Sequence, residues 1–410
     1  MILSRSIVSL AFCVGALAQE PQPIPPDIQS RAELLERLRD QKKPQLKPAE
    51  LSKTENTLNK IGDAQFLAKI EGQTGGFRPV IGGLQTGSGF AVGVAWRPPN
   101  LIRKPYAIRA SGSISTRLWQ AYELGVAFPR LWSDKLSLDF ETAYRDLNSL
   151  SYFGPGPKSR GDNRTNFRRE DTAFTGTLIV QPLKYFRFGA FGGYTFHNVG
   201  RGKDRRYAST DDQFVGQPIP GLGEQTDYLR TGFEAAIDWR DFPRGPRRGG
   251  LYSARYAWHN DRVFNRYDFS KLDLLATQYI PFFNDKRVFV LRAKTDLTYT
   301  NNGNVVPFYV QPVVGGSDDL RGFRPYRFYG DNSAVANAEY RWEVSSGLDM
   351  ALFMDFGQVF ERRKDFAFNK FESSWGFGFR GNVRNIPVIR VDVGFSREGF
   401  RIWFKFNNFM

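Results

Sequence analysis

From about Gly75 onward the chain alternates apolar and polar side chains with a period of two, broken by polar turns. Across 287–299, Arg292, Lys294, Asp296 and Thr298 alternate with Leu291, Ala293, Leu297 and Tyr299. Across 333–344, Asn337, Glu339, Arg341 and Glu343 oppose Ala336, Ala338, Tyr340 and Trp342. Ala351, Asp355 and Gly357 oppose Met350, Leu352, Met354 and Phe356, and Arg390, Asp392 and Gly394 oppose Ile389, Val391, Val393 and Phe395. The final segment sets Arg401, Lys405 and Asn407 against Phe400, Ile402, Phe404 and Phe406. Successive side chains of a strand point to opposite faces, so each segment predicts a strand with one apolar and one polar face.

A soluble sandwich also has one apolar face. Three features favour a membrane barrel instead. The apolar face is rich in aromatics, with 37 Phe in the chain, and these often sit at segment ends, as in interfacial girdles. The opposite face repeatedly carries charge, which suits a watery lumen. Short turns at 181–184, 281–285 and 345–347 interleave with long polar loops at 146–170, 197–227, 301–330 and 358–371. The expected fold is all-β, a transmembrane antiparallel barrel of about sixteen strands of roughly 9–11 residues each. The sheet must close, because open edges in lipid strand unpaired backbone groups.

The N-terminal region differs. Arg5, the apolar run 7–18 and Ala16-Leu17-Ala18 before Gln19 describe a cleavable secretory signal over 1–18. The only cysteine, Cys13, lies inside it, preceded by Phe12 rather than the small residue lipidation needs, so the mature chain carries no thiol. Residues 19–73 form a periplasmic leader. It is Pro-rich at Pro21, Pro23, Pro25 and Pro26, with a capping box at Ser30–Glu33 and a second helical stretch over 48–61. The barrel is expected over 74–410.

A formal charge of +15 raises the question of nucleic acid. The cations are scattered over strands and loops rather than gathered on one patch, and a secretory signal argues against a genomic partner. They suit a cationic lumen and rims that face acidic lipid. Arg201, Lys203, Arg205 and Arg206 are expected on an outer loop near lipopolysaccharide phosphates, and Arg244, Arg247 and Arg248 on a periplasmic turn near phospholipid headgroups. No nucleophile elbow, phosphate loop or metal-ligand spacing is present, and His197 and His259 are far apart in sequence. Neither enzyme chemistry nor a cofactor is expected.

The long loop at 301–330 contains Gly315-Gly316-Ser317-Asp318-Asp319-Leu320-Arg321-Gly322-Phe323. Its Leu320, Arg321, Gly322 and Phe323 resemble the (V/L)RG(F/Y) loop tip of the Omp85 outer-membrane barrels. Other stretches resemble the family in order: Arg78–Gly82 with Thr86–Gly89, Tyr152–Gly156, Asp238–Asp241 with Pro246–Gly249, Glu339–Arg341 and Gly376–Arg380. The resemblance spans nearly all of 75–410. It implies that the loop folds back into the lumen and that Arg321 meets an acidic residue on the inner wall. Asp355 has the inward parity for that role, and only arginine offers a planar, permanently charged fork for it. Glu339, Arg341 and Arg380 are expected to join the same network. Gly357, Gly376 and Gly378 are inward, the last two leaving room for the loop.

The resemblance also implies a seam between first and last strands. Pro79, Gly82 and Gly83 weaken one edge, and Phe400, Ile402, Phe404, Phe406 and Met410 give the alternation of the other. The leader is too short for the POTRA repeats that assembly proteins of this family carry. The expected function is assistance of protein or lipid insertion or translocation at the outer membrane of a Gram-negative cell. Expected partners are membrane lipids and unfolded outer-membrane clients or a periplasmic protein, around a monomeric barrel. The alternative is a passive, anion-preferring channel without a protein client.

Overall fold

The computed structural model describes residues 75–98, 106–132, 135–283, 285–301, 303–345, 347–383 and 386–406, with Arg37 in addition. The secretory signal with Ala16, Ala18 and Gln19, the helices expected in the leader, and Met410 lie outside the described residues.

Sixteen antiparallel strands form one sheet in which every neighbour in space is a neighbour in sequence. They are β1 (Phe77–Gly82), β2 (Ala91–Trp96), β3 (Ala107–Ser115), β4 (Gln120–Leu131), β5 (Leu136–Tyr152), β6 (Thr165–Leu183), β7 (Phe186–Arg201), β8 (Tyr228–Asp238), β9 (Gly249–Asp261), β10 (Phe269–Phe282) and β11 (Arg287–Tyr299), then β14 (Asn332–Ser345), β15 (Leu348–Phe360), β16 (Glu372–Val383), β17 (Ile386–Ser396) and β18 (Gly399–Phe406). Within the long loop, β12 (Val313–Val314) and β13 (Phe328–Tyr329) pair only with each other. The sheet is a nearly closed barrel. Ladders run from β1 round to β18, but none joins β18 back to β1 among the described residues.

The alternation in sequence becomes the two faces of this sheet. Phe140, Phe174, Phe188, Phe233, Phe289, Leu352, Trp375 and Phe404 all point outward and are exposed, a row that only lipid would cover at low cost. The opposite parity on β14–β17 is buried and charged. No described helix is long and apolar enough to cross a membrane, so the strands are the only described candidates for crossing.

The loops predicted at 146–170 and 197–227 are shorter than expected, because β5 continues to Tyr152, β6 starts at Thr165 and β7 ends at Arg201. At 17, 19 and 16 residues these strands exceed the roughly 9–11 needed to cross lipid. Their alternation fails for a physical reason. A register shift between Leu147 and Leu150 breaks the period, and residues 147–153 are buried on both faces. Leu147, Leu150, Tyr152 and Phe167 pack there with Phe214, Phe308, Tyr309 and Tyr329 from the loops, an aromatic core at the loop end of the barrel.

Candidate functional site: the arginine loop and its wall

The loop that joins β11 to β14 is built in two stages. Its base is closed by the β12–β13 ladder, Val313 opposite Tyr329 and Val314 opposite Phe328. Its tip turns at Gly315 and Gly316, whose φ values of 128° and 96° are open to glycine but strained for other residues. The Gly316 N–H then donates to the Leu320 carbonyl (3.2 Å), and the Phe323 N–H to the same oxygen (3.1 Å). Leu320, Phe323 and Phe328 bury themselves against Val314, Val335 and Val359. Gly357 accommodates this packing, since a Cβ there would lie 2.8 Å from Val314 and 3.2 Å from Leu320. The apolar residues of the tip therefore seat the loop, and the polar ones are aimed by that seating.

Arg321 is almost fully buried. Its Nε and Nη2 donate to the two oxygens of Asp355 at 3.0 and 2.7 Å, and its backbone N–H donates to Asp355 Oδ2 at 3.0 Å. Its Nη1 donates to Glu339 Oε2 at 2.5 Å, and its guanidinium lies 3.4 Å from the Phe353 ring centre. Burial alone would lower the arginine's affinity for its proton. Glu339 and Asp355, with Asp392 beyond them, outweigh burial and raise it above the usual arginine range. Asp355 also accepts from Asn337 (2.9 Å) and Ser374 (3.1 Å), its cross-strand neighbours on β14 and β16.

The network extends along the wall. Glu339 accepts from Arg341 Nε (2.6 Å) and Arg380 Nη2 (3.1 Å). Arg380 Nη1 and Arg390 Nε donate to Asp392 at 2.6 and 2.5 Å. Three carboxylates thus hold four guanidiniums in fixed geometry, each buried charge with a partner, as burial requires.

The structure corrects the roles of the inner glycines. Gly376 and Gly378 clear space for wall side chains rather than for the loop. A Cβ on Gly376 would lie 2.6 Å from the Phe353 ring, and one on Gly378 2.0 Å from Asp392. The loop backbone rests instead on Gly394, which faces Gly376 across the β16–β17 ladder; a Cβ there would lie 2.5 Å from the carbonyl of Arg321. Gly394, Asp392, Phe353 and Trp403, with Asn337, Ser374, Arg390 and Ser396, join the site beyond the residues to which the loop motif points. Inward parity places Gly394 and Asp392 on the lumen face, but parity alone does not say which inward residues meet the loop. Trp403 Nε1 donates to the Arg321 carbonyl at 2.7 Å, and Ser396 Oγ to the Gly322 carbonyl at 2.8 Å.

The same loop reaches both edges of the seam. Asp318 accepts from Thr86 in the β1–β2 connection (2.9 Å) and pairs with Lys405 of β18. Ser317 and Thr86 hydroxyls lie 3.1 Å apart, and Gln85 Nε2 donates to the Tyr326 hydroxyl at 2.5 Å. Burial pushes the Asp318 carboxyl up, but Lys405 and then Arg390 overcome this and hold it down at about 2. Pro79 and Gly82 lie on β1 and Gly83 just after it; Phe400, Ile402 and Phe404 face outward on β18. Across the seam itself, the rings of Phe90 and Phe406 meet edge-on at 5.5 Å.

Four of the seven expected rim cations have a local carboxylate partner among the described residues. Arg201 pairs with Asp212 and Arg206 with Asp204. Arg247 reaches Asp349 (3.1 Å) and Glu343 (3.3 Å), and Arg248 reaches Asp285 (3.0 Å).

A sixteen-stranded antiparallel barrel with an outward apolar face and a buried ionic wall is a transmembrane β-barrel. The Omp85 superfamily domain matches residues 100–406, so the chain belongs to the Omp85 superfamily of Gram-negative outer-membrane barrels. No curated protein matches it. Its fold is similar to that of BamA from Haemophilus ducreyi lacking POTRA domains 1–3, with a TM-score of 0.61, 16% identity, and coverage of 80% of this chain and 69% of that one. It is also similar to CdiB from Escherichia coli, with a TM-score of 0.51, 13% identity, and coverage of 80% and 61%. At such identities the likeness speaks for the fold.

Proposed function

We propose that this barrel assists the insertion or translocation of other proteins, or of lipids, at the outer membrane, and that the arginine loop sets how readily the seam opens. One observation carries the reading. Among the described residues, β1 and β18 are the only neighbouring strands of the barrel without a ladder between them, and one loop residue, Asp318, is held by Thr86 in the β1–β2 connection on one side and by Lys405 of β18 on the other. The loop is itself locked to the wall through Arg321. A barrel built only to stay closed gains nothing from leaving one ladder unmade, since every other strand pair is hydrogen-bonded. Similarity to BamA and CdiB folds agrees with this reading.

The passive anion channel has less support. Its premise is a freely cationic lumen, yet Arg321, Arg341, Arg380 and Arg390 are each paired in place with Glu339, Asp355 or Asp392, which leaves that wall only one charge in excess. Residues 19–73 would then serve as a tether for a periplasmic partner or as a plug.

The test is insertion of a urea-unfolded outer-membrane protein into liposomes that contain the purified barrel. Empty liposomes and the Arg321→Ala variant are the controls. Acceleration that is lost in the variant is expected. No acceleration by a correctly folded barrel would count against the reading. Deletion of 19–73 with conductance recorded would separate the two leader roles, since a plug predicts a rise and a tether none.

A further inference from the structure

Next to the seam, the β1–β2 connection, β18 and the arginine loop enclose a cleft of 850 Å³. Arg117, Arg164, Arg324 and Arg401 all line it. Arg324 and Arg401 also line a second cleft of 430 Å³ at the loop end, with Lys158 and Arg160. The guanidiniums of the Arg321 network sit on carboxylates; among the described residues these four do not. Among the described residues, Arg164 is hydrogen-bonded only to neutral hydroxyls, Ser151 (3.1 Å) and Tyr207 (2.6 Å). Arg401 donates to a backbone carbonyl, and its buried Nε has no hydrogen-bond partner. Among the described residues, the guanidiniums of Arg117 and Arg324 hydrogen-bond no carboxylate.

The acids nearby are already engaged. Asp318 lines the larger cleft but is held by Lys405 and Thr86, and Glu398 in the smaller one accepts from Arg327 at 2.7 Å. Burial makes it harder for Arg164 to hold its proton, and Arg324 and Arg117 push the same way, which marks the cluster as mutually repelling. Like charges crowded in a half-buried cleft cost stability unless an anion enters. Guanidinium forks match the paired oxygens of phosphate better than those of a spherical anion.

We propose that the Arg117–Arg164–Arg324–Arg401 cleft is a binding site for a phosphate-bearing anion, either a lipid phosphate headgroup drawn in at the open seam or free phosphate. Bound there, the anion touches the loop through Arg324 and the last strand through Arg401, which adds a second tie between the loop and β18 beside the Asp318–Lys405 pair. Occupancy would therefore bias the seam. The effect on the seam rests on the function proposed above, whereas binding of the anion itself does not depend on any protein client.

The experiment is calorimetric titration of the full-length refolded barrel in zwitterionic micelles at constant ionic strength. Inorganic phosphate is the first probe and phosphatidate carried in the micelles the second. One phosphate per chain is expected, with affinity at least tenfold weaker in Arg117→Gln and in Arg324→Gln. Arg205→Gln, on an exposed loop, should bind like the parent. Loss of the phosphate heat when phosphatidate is present identifies the lipid headgroup as an occupant; phosphate binding that phosphatidate leaves unchanged identifies the free anion. No binding of either probe, or equal binding in both cleft variants, would overturn the site. Arg117 lies in the exposed β3–β4 connection without a hydrogen-bonded side chain, so its variant tests the proposal even if Arg324→Gln fails to fold.

Discussion

The wall under the arginine loop and the seam beside it join strands in opposite ways. Along β14 to β17 each ladder carries 9 or more register pairs, the inner face is buried and charged, and every charge in the Arg321 network has a named partner. Between β18 and β1 there is no ladder among the described residues, the strands have only 8 and 6 residues, and contact depends on a ring pair and a loop aspartate. The difference teaches where the molecule is free to change. Rigid charge geometry holds the loop, and on the function proposed above the loop rather than backbone pairing holds the seam.

The strongest test of that contrast is Arg321→Ala. It leaves Asp355 and Glu339 buried without their central cation, and should cost about 3–5 kcal/mol. The midpoint of heat or urea unfolding in micelles reads this. Arg321→Lys should not restore it, because an ammonium cannot span both Asp355 oxygens. An unchanged midpoint in both variants would mean that the wall does not depend on the loop.

Gly394→Val attacks the loop without touching a charge. The added side chain meets the Arg321 carbonyl at a distance no Cβ tolerates, and the expected cost is about 1–3 kcal/mol. Limited proteolysis should then cut within 315–327 while the barrel stays folded. Gly200→Ala, where an added Cβ meets nothing within 4 Å, is the neutral control. Equal protease resistance in all three proteins would place the loop's hold elsewhere.

Smaller effects are expected at the seam. The Asp318 side chain is about half exposed, so Lys405→Gln should cost no more than about 1 kcal/mol. It should nevertheless broaden the distance distribution between spin labels at positions 83 and 402, and leave one between the outward-facing positions 352 and 375 unchanged. Acid gives a companion measurement. With the Asp318 carboxyl depressed to about 2, its contribution is complete above the ordinary aspartate range near pH ~4. It fades as pH falls toward 2. Label distances across the seam should therefore hold to about pH 4 and widen below it; widening already at pH 6 would exclude Asp318 as the link.

Much of this site was legible in the chain, and what was not has a common cause. Period-two alternation assigned Asp355, Glu339 and Arg380 to the inner face, because side-chain direction in a strand depends only on residue number. The same parity also pointed Asp392, Gly394 and Phe353 inward, without saying that Asp392 closes the Arg380 pair or that Gly394 is the floor under the loop. Those facts depend on register: Gly376 faces Gly394 and Gly378 faces Asp392 only because of how β16 and β17 align. Where alternation failed, at 147–153, the loops cover the strand on both faces and the pattern no longer tracks the ladder.

The sequence by itself determined the strands, their two faces, and the arginine suited to a buried carboxylate, since these follow from local periodicity and the chemistry of single side chains. Only the tertiary structure decided that Asp318 joins the two unpaired edges and that four arginines share one cleft without an acid of their own. Residues 86, 318 and 405 are brought together by closure of the barrel and return of the loop, and no local rule relates positions so far apart along the chain.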